Sequence, residues 1–447
     1  MPAKQPLRLH LSELIGALSH ALDMTEGLPP GHSLRCCWLG MHIGIEAGMG
    51  ISELQTLYYT LLLKDAGCSS NAARLFELYR CDDLIVKRDF KSVNSQSIME
   101  LGRFMIGHVG LGESLRERLK LMFDLTRQGD DIGEDLFRTR CERGADIALK
   151  LGFDEHVAHG VRCLDEHWNG QGKPAGIKTE AIPMQSRIAL LAQVIEVFHA
   201  ASGVEAALRE VRARSGSWFD PALVSIVERL AVMPEWWAGL QHGGLMARVR
   251  DIEPQACAQL ADEERLDAIA EAFAQIIDAK SPFTFGHSTR VAVFTDILAE
   301  AVGLDTTRRN WLRRGALLHD IGKLGVSNAV LDKPGKLTEK EWVVMRMHPV
   351  HTESILSKLP MFADLAEMSA AHHERLDGQG YPKGLRDQDI CLETRLITLA
   401  DIFDALTAQR PYREAMPIEQ ALSIMSLECG SAIDGDLFRH VQTFKAD

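Results

Sequence analysis

Apolar residues recur along most of this chain at the intervals of an α-helix. One stretch shows the pattern clearly, with apolar side chains at Leu266, Ile269, Ala270, Phe273, Ile276 and Ile277. Residues with these spacings share one face of a helix, so that face can be buried against a neighbour. Alternating apolar and polar runs, which are typical of strands, are short throughout the sequence. The pattern therefore predicts an all-α protein.

Several short segments of the first half of the chain are repeated, in the same order, in the second half. The matched pairs are residues 32–35 with 287–290, 62–67 with 317–322, 166–174 with 374–382, 187–188 with 395–396 and 216–220 with 430–434. Matches that keep one order predict two copies of one helical domain. The separation between partners shortens after the second pair, so the first copy holds extra residues between Asp65 and Arg140.

The stretch between the two copies predicts a linker. Residues 234–262 contain Trp236 and Trp237 together with glycines and a proline. Two exposed tryptophans would leave a large apolar surface in water, so we expect both to pack against a domain. The expected organisation is a first domain at residues 1–233, a linker at 234–262 and a second domain at 263–447.

The composition is that of an ordinary globular protein. Hydrophobic residues make up 46% of the chain and charged residues 25%. A net charge of −13 argues against a binding surface for a DNA or RNA duplex or for an anionic membrane. No apolar run has the length of a membrane span, and the first residues lack the apolar core of a secretion signal. The nine cysteines contain no CxxC pair, so we expect reduced thiols in a cytoplasmic protein.

The pair His319-Asp320 is the first indication of chemistry. It follows an apolar helical run, and neither side chain is stable in a dry interior without a partner. A bound metal ion satisfies both, because imidazole nitrogen and carboxylate oxygen are metal ligands. An isolated pair of this kind is more often a solvated helix end, so the interpretation depends on the rest of the second half.

Further residues of ligand type are spread over the second half. His287 and His348 each lie near a predicted helix end, His372 and His373 are adjacent, and Asp401 lies inside an apolar helical run. Each has a structural explanation when taken singly, as a surface histidine, a helix cap or a core acid bonded to backbone.

Taken together, these segments resemble the HD-GYP family of metal-dependent phosphohydrolases, a branch of the HD superfamily. The matching segments are residues 287–291, the HDIGK run at 319–323, residues 333–338, 348–349, the HHERLDGQGYP run at 372–382, residues 400–407 and 410–413. They span most of the chain from about residue 263 onward. The family fold is an all-α bundle, so the resemblance implies two tandem HD-type helical bundles, the second an HD-GYP domain.

The resemblance implies a centre of two divalent metal ions. The expected ligands are His287, His319, Asp320 and Asp401 for one ion and His348, His372 and His373 for the other, with Asp320 bridging. Two neighbouring cations acidify a water molecule and neutralise charge on a phosphoryl group. Mixed histidine and carboxylate ligation suits iron or manganese, and it accepts nickel, cobalt or zinc. Some relatives bind a third metal through a Glu where this chain has Phe283, so two metals are expected.

The resemblance also assigns residues to the reaction and the substrate. Asp320 and Lys323 are the expected catalytic residues, and Lys323 would place a point charge on a substrate phosphate. Tyr381 would stack on a base or bind a phosphate. Arg410 and Arg413 would contact phosphate and guanine through their planar guanidinium groups. Thr352 departs from the family pattern, which has Gly at this position, but it keeps a small residue there.

The implied substrate is a cyclic dinucleotide. Cyclic di-GMP, hydrolysed to linear pGpG and onward to GMP, is the usual family substrate, and some relatives prefer 3′,3′-cyclic GMP-AMP. One alternative is a nucleotide or nucleoside phosphohydrolase of the wider HD superfamily, which the complete GYP loop disfavours. Another is a signalling protein that binds a cyclic dinucleotide without hydrolysis, which the full ligand set disfavours. The sequence leaves open whether the protein is a homodimer.

The first copy has lost most of these residues. His32 and Asp65 stand at the places of His287 and Asp320. The replaced positions carry Lys64 for His319, Cys68 for Lys323, Arg140 for His348, Leu164 for His372, Asp165 for His373 and Gln193 for Asp401. Two ligands cannot hold a dinuclear centre, so this copy is predicted to be a degenerate HD-like domain without metal or catalysis. It would serve in packing or dimerisation, or, given the retained NGQGKP loop at 169–174, as a regulatory ligand-binding domain.

Overall fold

Helices form nearly all of the regular structure, as the apolar periodicity predicts. The computed structural model describes residues 9–241, 243–254, 260–409 and 414–442. It divides into two compact units, Met1–Arg265 and Leu266–Asp447. The prediction of an all-α protein is confirmed, the only strands in the described part of the chain being a pair of two residues each. No described helix combines the length and the apolar character that crossing a membrane requires.

The helices of the first unit are α1 (Leu11–Thr25), α2 (His32–Glu46), α3 (Ile51–Leu63), α4 (Ala72–Tyr79), α5 (Asp83–Phe90), α6 (Ile98–His108), α7 (Leu115–Lys150), α8 (Glu155–Arg162), α9 (Met184–Ser202), α10 (Val204–Ala213), α11 (Pro221–Leu230), α12 (Pro234–Ala238) and α13 (Leu245–Asp251). Short 3-10 turns lie at Cys68–Asn71 and Thr179–Ala181. Strand β1 (Leu9–His10) pairs antiparallel with β2 (Leu260–Ala261).

The core of the first unit lies where α2, α3 and α9 meet. Gly40 on α2 allows the close approach, because a Cβ atom there would lie 2.7 Å from Leu61 and 3.3 Å from Ile188. Trp236, from the stretch expected to be a linker, is 1% exposed, and its carbonyl oxygen accepts a 2.9 Å hydrogen bond from Trp38 Nε1. The expected domain and linker boundaries stay a prediction, although α12 and α13 form within that stretch.

The helices of the second unit are α14 (Glu263–Asp278), which begins at the end of the first unit, α15 (His287–Ala301), α16 (Thr306–Leu318), α17 (Asn328–Leu331), α18 (Glu339–Met345), α19 (His348–Leu356), α20 (Ala363–Ala370), α21 (Leu392–Thr407), α22 (Ile418–Leu427) and α23 (Gly435–Val441). Short 3-10 turns lie at Ile321–Gly325, Pro360–Phe362 and Asp387–Asp389. Helix α15 packs against α16 and α21, and Val291, Leu312 and Leu399, one on each of these helices, are fully buried.

The duplication seen in the sequence is repeated in the hydrogen bonds of the two units. In the first unit the Asp23 carboxylate accepts hydrogen bonds from the amide and the hydroxyl of Ser33, at 2.9 and 2.7 Å. In the second unit Asp278 accepts from the same groups of Ser288, at 3.3 and 2.7 Å. Equivalent residues therefore hold equivalent helices, which supports a common origin of the two copies.

A glycine after the HD-type segment is a second repeated feature. A Cβ atom on Gly67 would overlap the carbonyl oxygen of Arg140, and one on Gly322 would overlap the carbonyl oxygen of His348. Each glycine thus lets the turn that follows its aspartate touch the backbone of a helix distant in sequence. This contact fixes Asp65 and Asp320 relative to the residues that face them.

We expect Gly67→Ala to destabilise the first unit by about 1–3 kcal/mol, because the added methyl group has no room beside the backbone of α7. Gly102→Ala is the matched control, since it lies inside α6 with no atom within 4 Å of its Cβ position. Removing glycine from a helix interior should stabilise by about 0.5–1 kcal/mol. Chemical denaturation of the two variants measures the difference, and equal stability would contradict the predicted steric role.

Candidate metal centre

The predicted metal ligands come together in the second unit as two adjacent groups. The first group is His287, His319 and Asp401, and the second is Asp320, His348, His372 and His373. Within each group the ligand atoms all lie within 4.8 Å of one another. Most of these side chains are almost completely buried, and the most exposed of the aspartates, Asp401, is 8% exposed.

Helix ends supply most of these side chains. His287 is the first residue of α15, His348 is the first residue of α19, and His319 directly follows α16. His372 and His373 follow α20, whereas Asp401 lies inside α21. Polar groups at helix ends leave the apolar stripes of the helices free to pack, so one bundle can hold both a core and a polar centre.

The first group surrounds one oxygen of Asp320. His287 Nε2 lies 3.5 Å from Asp320 Oδ2 and 3.3 Å from Asp401 Oδ1. His319 Nε2 lies 3.3 Å from the same Asp320 oxygen and 3.9 Å from Asp401 Oδ1. The nitrogen and oxygen ligand atoms therefore face a shared space.

The second group faces the other oxygen of Asp320. His348 Nε2 lies 3.3 Å and His372 Nε2 3.6 Å from Asp320 Oδ1. The ring of His373 lies against both, with its centroid 4.0 Å from that of His372 and 5.0 Å from that of His348. The two oxygens of one carboxylate thus point to different groups, which is the arrangement that a bridging ligand needs.

Backbone carbonyl groups set the orientation of three of these histidines. The Nδ1 atoms of His319, His348 and His372 lie 2.7, 2.7 and 2.5 Å from carbonyl oxygens three residues earlier in the chain. A carbonyl oxygen only accepts, so Nδ1 carries the proton. The lone pair of each neutral ring is then on Nε2 and points into the centre, as metal ligation requires.

The chemistry of the centre fits divalent cations. His287 Nε2, His319 Nε2 and Asp320 Oδ1 are buried and have no hydrogen-bond partner among the described residues. Buried polar atoms without partners are costly to the folded state. Cations held by the two groups would satisfy all three atoms, and the ligand types match those of metal sites with histidine and carboxylate.

The pKa values of two histidines and two aspartates of the centre favour the protonation states that metal binding needs. Burial lowers the pKa of His348 to about 3 and that of His373 well below its ordinary value. Burial alone would raise the pKa of Asp320 and of Asp401. The ammonium group of Lys323 holds the pKa of Asp320 low, and the neighbouring His287 does so for Asp401. Neutral histidines beside ionised carboxylates are competent ligands.

Asp404, which the sequence analysis did not single out, orients His287. His287 Nδ1 lies 2.7 Å from Asp404 Oδ2, and Arg290 Nε donates to Asp404 Oδ1 at 2.5 Å. Burial opposes a charge on His287, but the carboxylates of Asp320, Asp401 and Asp404 raise its pKa to about 10, so His287 must release a proton when it binds a cation. The sequence feature that could have identified Asp404 is that it is a second acid, one helical turn after Asp401, in an otherwise apolar run.

The structure describes two of the four expected substrate-binding residues, Lys323 and Tyr381. Lys323 Nζ is hydrogen-bonded to Asp320 Oδ2. The ring of Tyr381 lies with its centroid 4.9 Å from that of His373, at the edge of the centre. Arg410 and Arg413 lie outside the described residues. Thr352 donates a 2.9 Å hydrogen bond to the carbonyl oxygen of His319 and accepts one of 3.1 Å from the amide of Gly322.

Arg346 is a second residue near the centre that the sequence analysis did not single out. Its guanidinium carbon lies 5.5 Å from the ring centroid of Tyr381 and 5.6 Å from that of Trp342. Such distances are typical of cation–π contacts. The sequence offered no signal for this contact, because an arginine near a helix end is common on protein surfaces.

Comparison with known proteins bears on both units. A family model described as the HD domain matches residues 122–223 and 271–437, one stretch in each unit. The 3'3'-cGAMP-specific phosphodiesterase 3 of Vibrio cholerae is 53% identical over 428 residues, covering 96% of this chain and 93% of that protein. The cyclic di-GMP phosphodiesterase response regulator RpfG of Xanthomonas campestris is 34% identical over 197 residues, covering 43% of this chain and 52% of that protein.

A solved structure is similar over both units. The crystal structure of a cyclic GMP-AMP specific phosphodiesterase of V. cholerae, V-cGAP3, is 48% identical in sequence with a TM-score of 0.68. The similarity covers 97% of each chain. The similar fold therefore extends through the first unit as well as the second.

We expect Asp404→Asn to weaken divalent metal binding by about 10- to 100-fold, because His287 loses the charged partner that fixes its ring. Competition with a chelating dye on the full chain measures this affinity. Asp296→Asn is the control, since that carboxylate pairs with Arg309 at 2.8 Å, away from the ligands. The same loss of affinity in both variants would contradict the orienting role of Asp404.

Proposed function

This chain belongs to the HD domain family, and from that membership we propose that its second unit is a metal-dependent phosphodiesterase acting on a cyclic dinucleotide. The observation that carries the proposal is the position of Asp320, whose oxygens face the two ligand groups separately. A bridging carboxylate lets two cations bind close together. Paired cations are suited to the hydrolysis of phosphodiesters, because charge builds on both the attacking and the leaving oxygen.

The proposed ion sites follow the two groups. One ion would be held by His287, His319, Asp320 and Asp401, and the other by Asp320, His348, His372 and His373. Nitrogen and oxygen ligands in this mixture suit iron or manganese, and they accept nickel, cobalt or zinc. We expect two ions per chain, both in the second unit.

The residues around the centre have separate tasks in the proposed reaction. Bound divalent ions would supply the acidity that makes a water molecule nucleophilic and would neutralise charge on the phosphoryl oxygens. Lys323, with 15% of its side chain exposed, lies beside Asp320 at the edge of the centre. Its ammonium group is therefore positioned to donate to a phosphate oxygen of the substrate. The ring of Tyr381 packs next to that of His373, and Asp404 fixes the orientation of the His287 ring.

The proposed preferred substrate is 3′,3′-cyclic GMP-AMP rather than cyclic di-GMP. The relative named for the mixed dinucleotide is similar to this chain over nearly its whole length. The cyclic di-GMP relative RpfG matches less than half of this chain. Similarity through both units supports the mixed substrate, although both dinucleotides contain the phosphodiester that the centre would hydrolyse.

Arg346 is the proposed cationic contact at the rim. The guanidinium group lies over two aromatic rings, and no described carboxylate forms an ion pair with it. Stacking fixes the plane of the guanidinium group, while its N–H groups remain available to a hydrogen-bond acceptor. A cyclic dinucleotide carries a second phosphate that the metal centre does not hold, and Arg346 is suited to that anion.

We expect Arg346→Ala to raise KM for the cyclic dinucleotide about tenfold, equivalent to about 1.4 kcal/mol, with little change in kcat. Arg346→Lys keeps the charge but lacks the planar guanidinium group, so its KM should lie between those of the wild type and Arg346→Ala. Arg439→Ala is the control, because that side chain is 74% exposed and pairs with Asp436 on the surface. A change in kcat alone would contradict a role in substrate binding.

We expect His319→Ala and Asp320→Ala each to abolish hydrolysis without unfolding the second unit. The assay uses the full chain, reconstituted without oxygen with Fe²⁺ or Mn²⁺, and compares 3′,3′-cyclic GMP-AMP with cyclic di-GMP. Residual activity above about a tenth would place this pair outside the chemistry. No turnover of either substrate by the metal-loaded wild type would favour a binding protein, and turnover of dNTPs alone would favour the wider superfamily.

A further inference from the structure

Two lysine side chains of the first unit lie where the second unit gathers its proposed metal ligands. The internal repeat aligns Lys64 with His319, which places a cation in the centre of the first copy. Lys91 lies in the stretch between Asp65 and Arg140, which is longer than the corresponding stretch of the second copy. Both ammonium groups are buried, since Lys64 is 2% exposed and the side chain of Lys91 is 6% exposed.

Lys64 is bonded to the equivalents of the first ligand group. Its Nζ lies 2.9 Å from His32 Nε2 and 3.1 Å from Gln193 Oε1, and it is hydrogen-bonded to Asp65 Oδ2. These three residues align with His287, Asp401 and Asp320. The ammonium group therefore has the partners that the first metal ion is proposed to have in the second unit.

Lys91 is bonded to the other side of the same carboxylate. Its Nζ lies 3.1 Å from Asp65 Oδ1, 3.2 Å from Gln193 Oε1 and 2.9 Å from Glu26 Oε2. Asp65 thus has one ammonium group on each oxygen, as Asp320 has one ligand group on each oxygen. Burial alone would lower the pKa of Lys91, but Asp65 and Glu26 raise it, so the side chain stays charged.

The ligand-type side chains that the structure describes at this place already have protein partners. His32 Nδ1 is bonded to Glu196, whose other oxygen accepts from Arg35 Nε at 2.7 Å. This repeats the contacts of His287 and Arg290 with Asp404 in the second unit. Arg140, which stands at the place of His348, pairs with Asp165. Two sets of ligand-type side chains do lie close together here, His32, Cys36 and Glu196 in one and Glu26, Asp65 and Cys68 in the other. The carboxylates of both sets already have protein partners, Glu196 in His32 and Arg35, and Glu26 and Asp65 in Lys91.

We propose that Lys64 and Lys91 are permanent counter-ions that perform in the first unit the structural task of two metal ions. The first unit would then fold without metal, and its former centre would hold neither a metal nor a regulatory ligand. A buried carboxylate is tolerated when cations compensate it, and removing one partner is strongly unfavourable. The proposal rests on the proposed metal centre for its comparison, but its tests do not use phosphodiesterase activity.

Hydrogen exchange of the full chain before and after metal removal by a chelator tests the independence from metal. The expected result is unchanged protection of peptides covering α2 and residues 57–68 of the first unit. Peptides covering the start of α15 and the His319 turn serve as the metal-sensitive reference. A loss of protection in the first unit comparable to that in the second would overturn the proposal.

Lys64→Met tests the counter-ion itself, because methionine keeps the length of the side chain and removes the charge. The expected result is loss of protection at residues 57–68, with the second unit unchanged. Lys87→Met is the matched control, since Lys87 is also buried but pairs with Asp83 at 3.5 Å and donates to the carbonyl oxygen of Thr25 at 3.1 Å rather than to Asp65. The loss of protection in Lys87→Met should be confined to peptides near α5. Wild-type protection at residues 57–68 in Lys64→Met would overturn the proposal.

A gain of metal binding provides an independent measurement. The double variant Lys64→His, Gln193→Asp restores the ligand types of the second unit beside His32 and Asp65. Titration with Mn²⁺ should then find one more bound ion per chain than in the wild type. Adding His32→Ala should remove that ion. Uptake of the same additional ion by the wild-type chain would overturn the proposal, because Lys64 would not be excluding a metal.

Discussion

A buried carboxylate that needs a positive partner at each oxygen is the constraint on which both halves of this chain depend. Asp320 and Asp65 are each 1% exposed, so water cannot compensate their charge. Around Asp320 the compensation comes from Lys323 and the proposed metal ions, and around Asp65 it comes from Lys64 and Lys91. The unfavourable desolvation of a carboxylate explains why both copies keep cations at this place although the ligand residues have diverged.

The scaffold around that carboxylate is the same in both copies. A glycine two residues later lets the chain touch the backbone of a distant helix, and a histidine at the start of another helix meets an acid on α9 or α21. These contacts depend on backbone positions and on a few hydrogen bonds. The chemistry in the middle could therefore change while the bundle remained, which illustrates how function is grafted onto a fold.

The second unit combines features that phosphodiester hydrolysis requires. In this unit, His319, His348 and His372 present lone pairs inward because their Nδ1 atoms donate to backbone carbonyl oxygens, and Asp404 orients His287. Its aspartates stay ionised in a buried setting, and Lys323 and Arg346 add positive charge beside the centre. The similarity to phosphodiesterases of cyclic dinucleotides is in accord with such a centre, and similarity through both units gives the first unit a part in the same architecture.

The sequence alone determined the helical class, the internal duplication and the residues of the candidate centre. These features are local or are carried by short motifs, because helical periodicity and ligand type can be read from neighbouring positions. Only the tertiary structure decided which distant side chains meet. Asp404 contacts His287 across 117 positions of the chain, and Lys91 contacts Gln193 across 102. No local pattern encodes such pairs, since packing of the whole bundle brings them together.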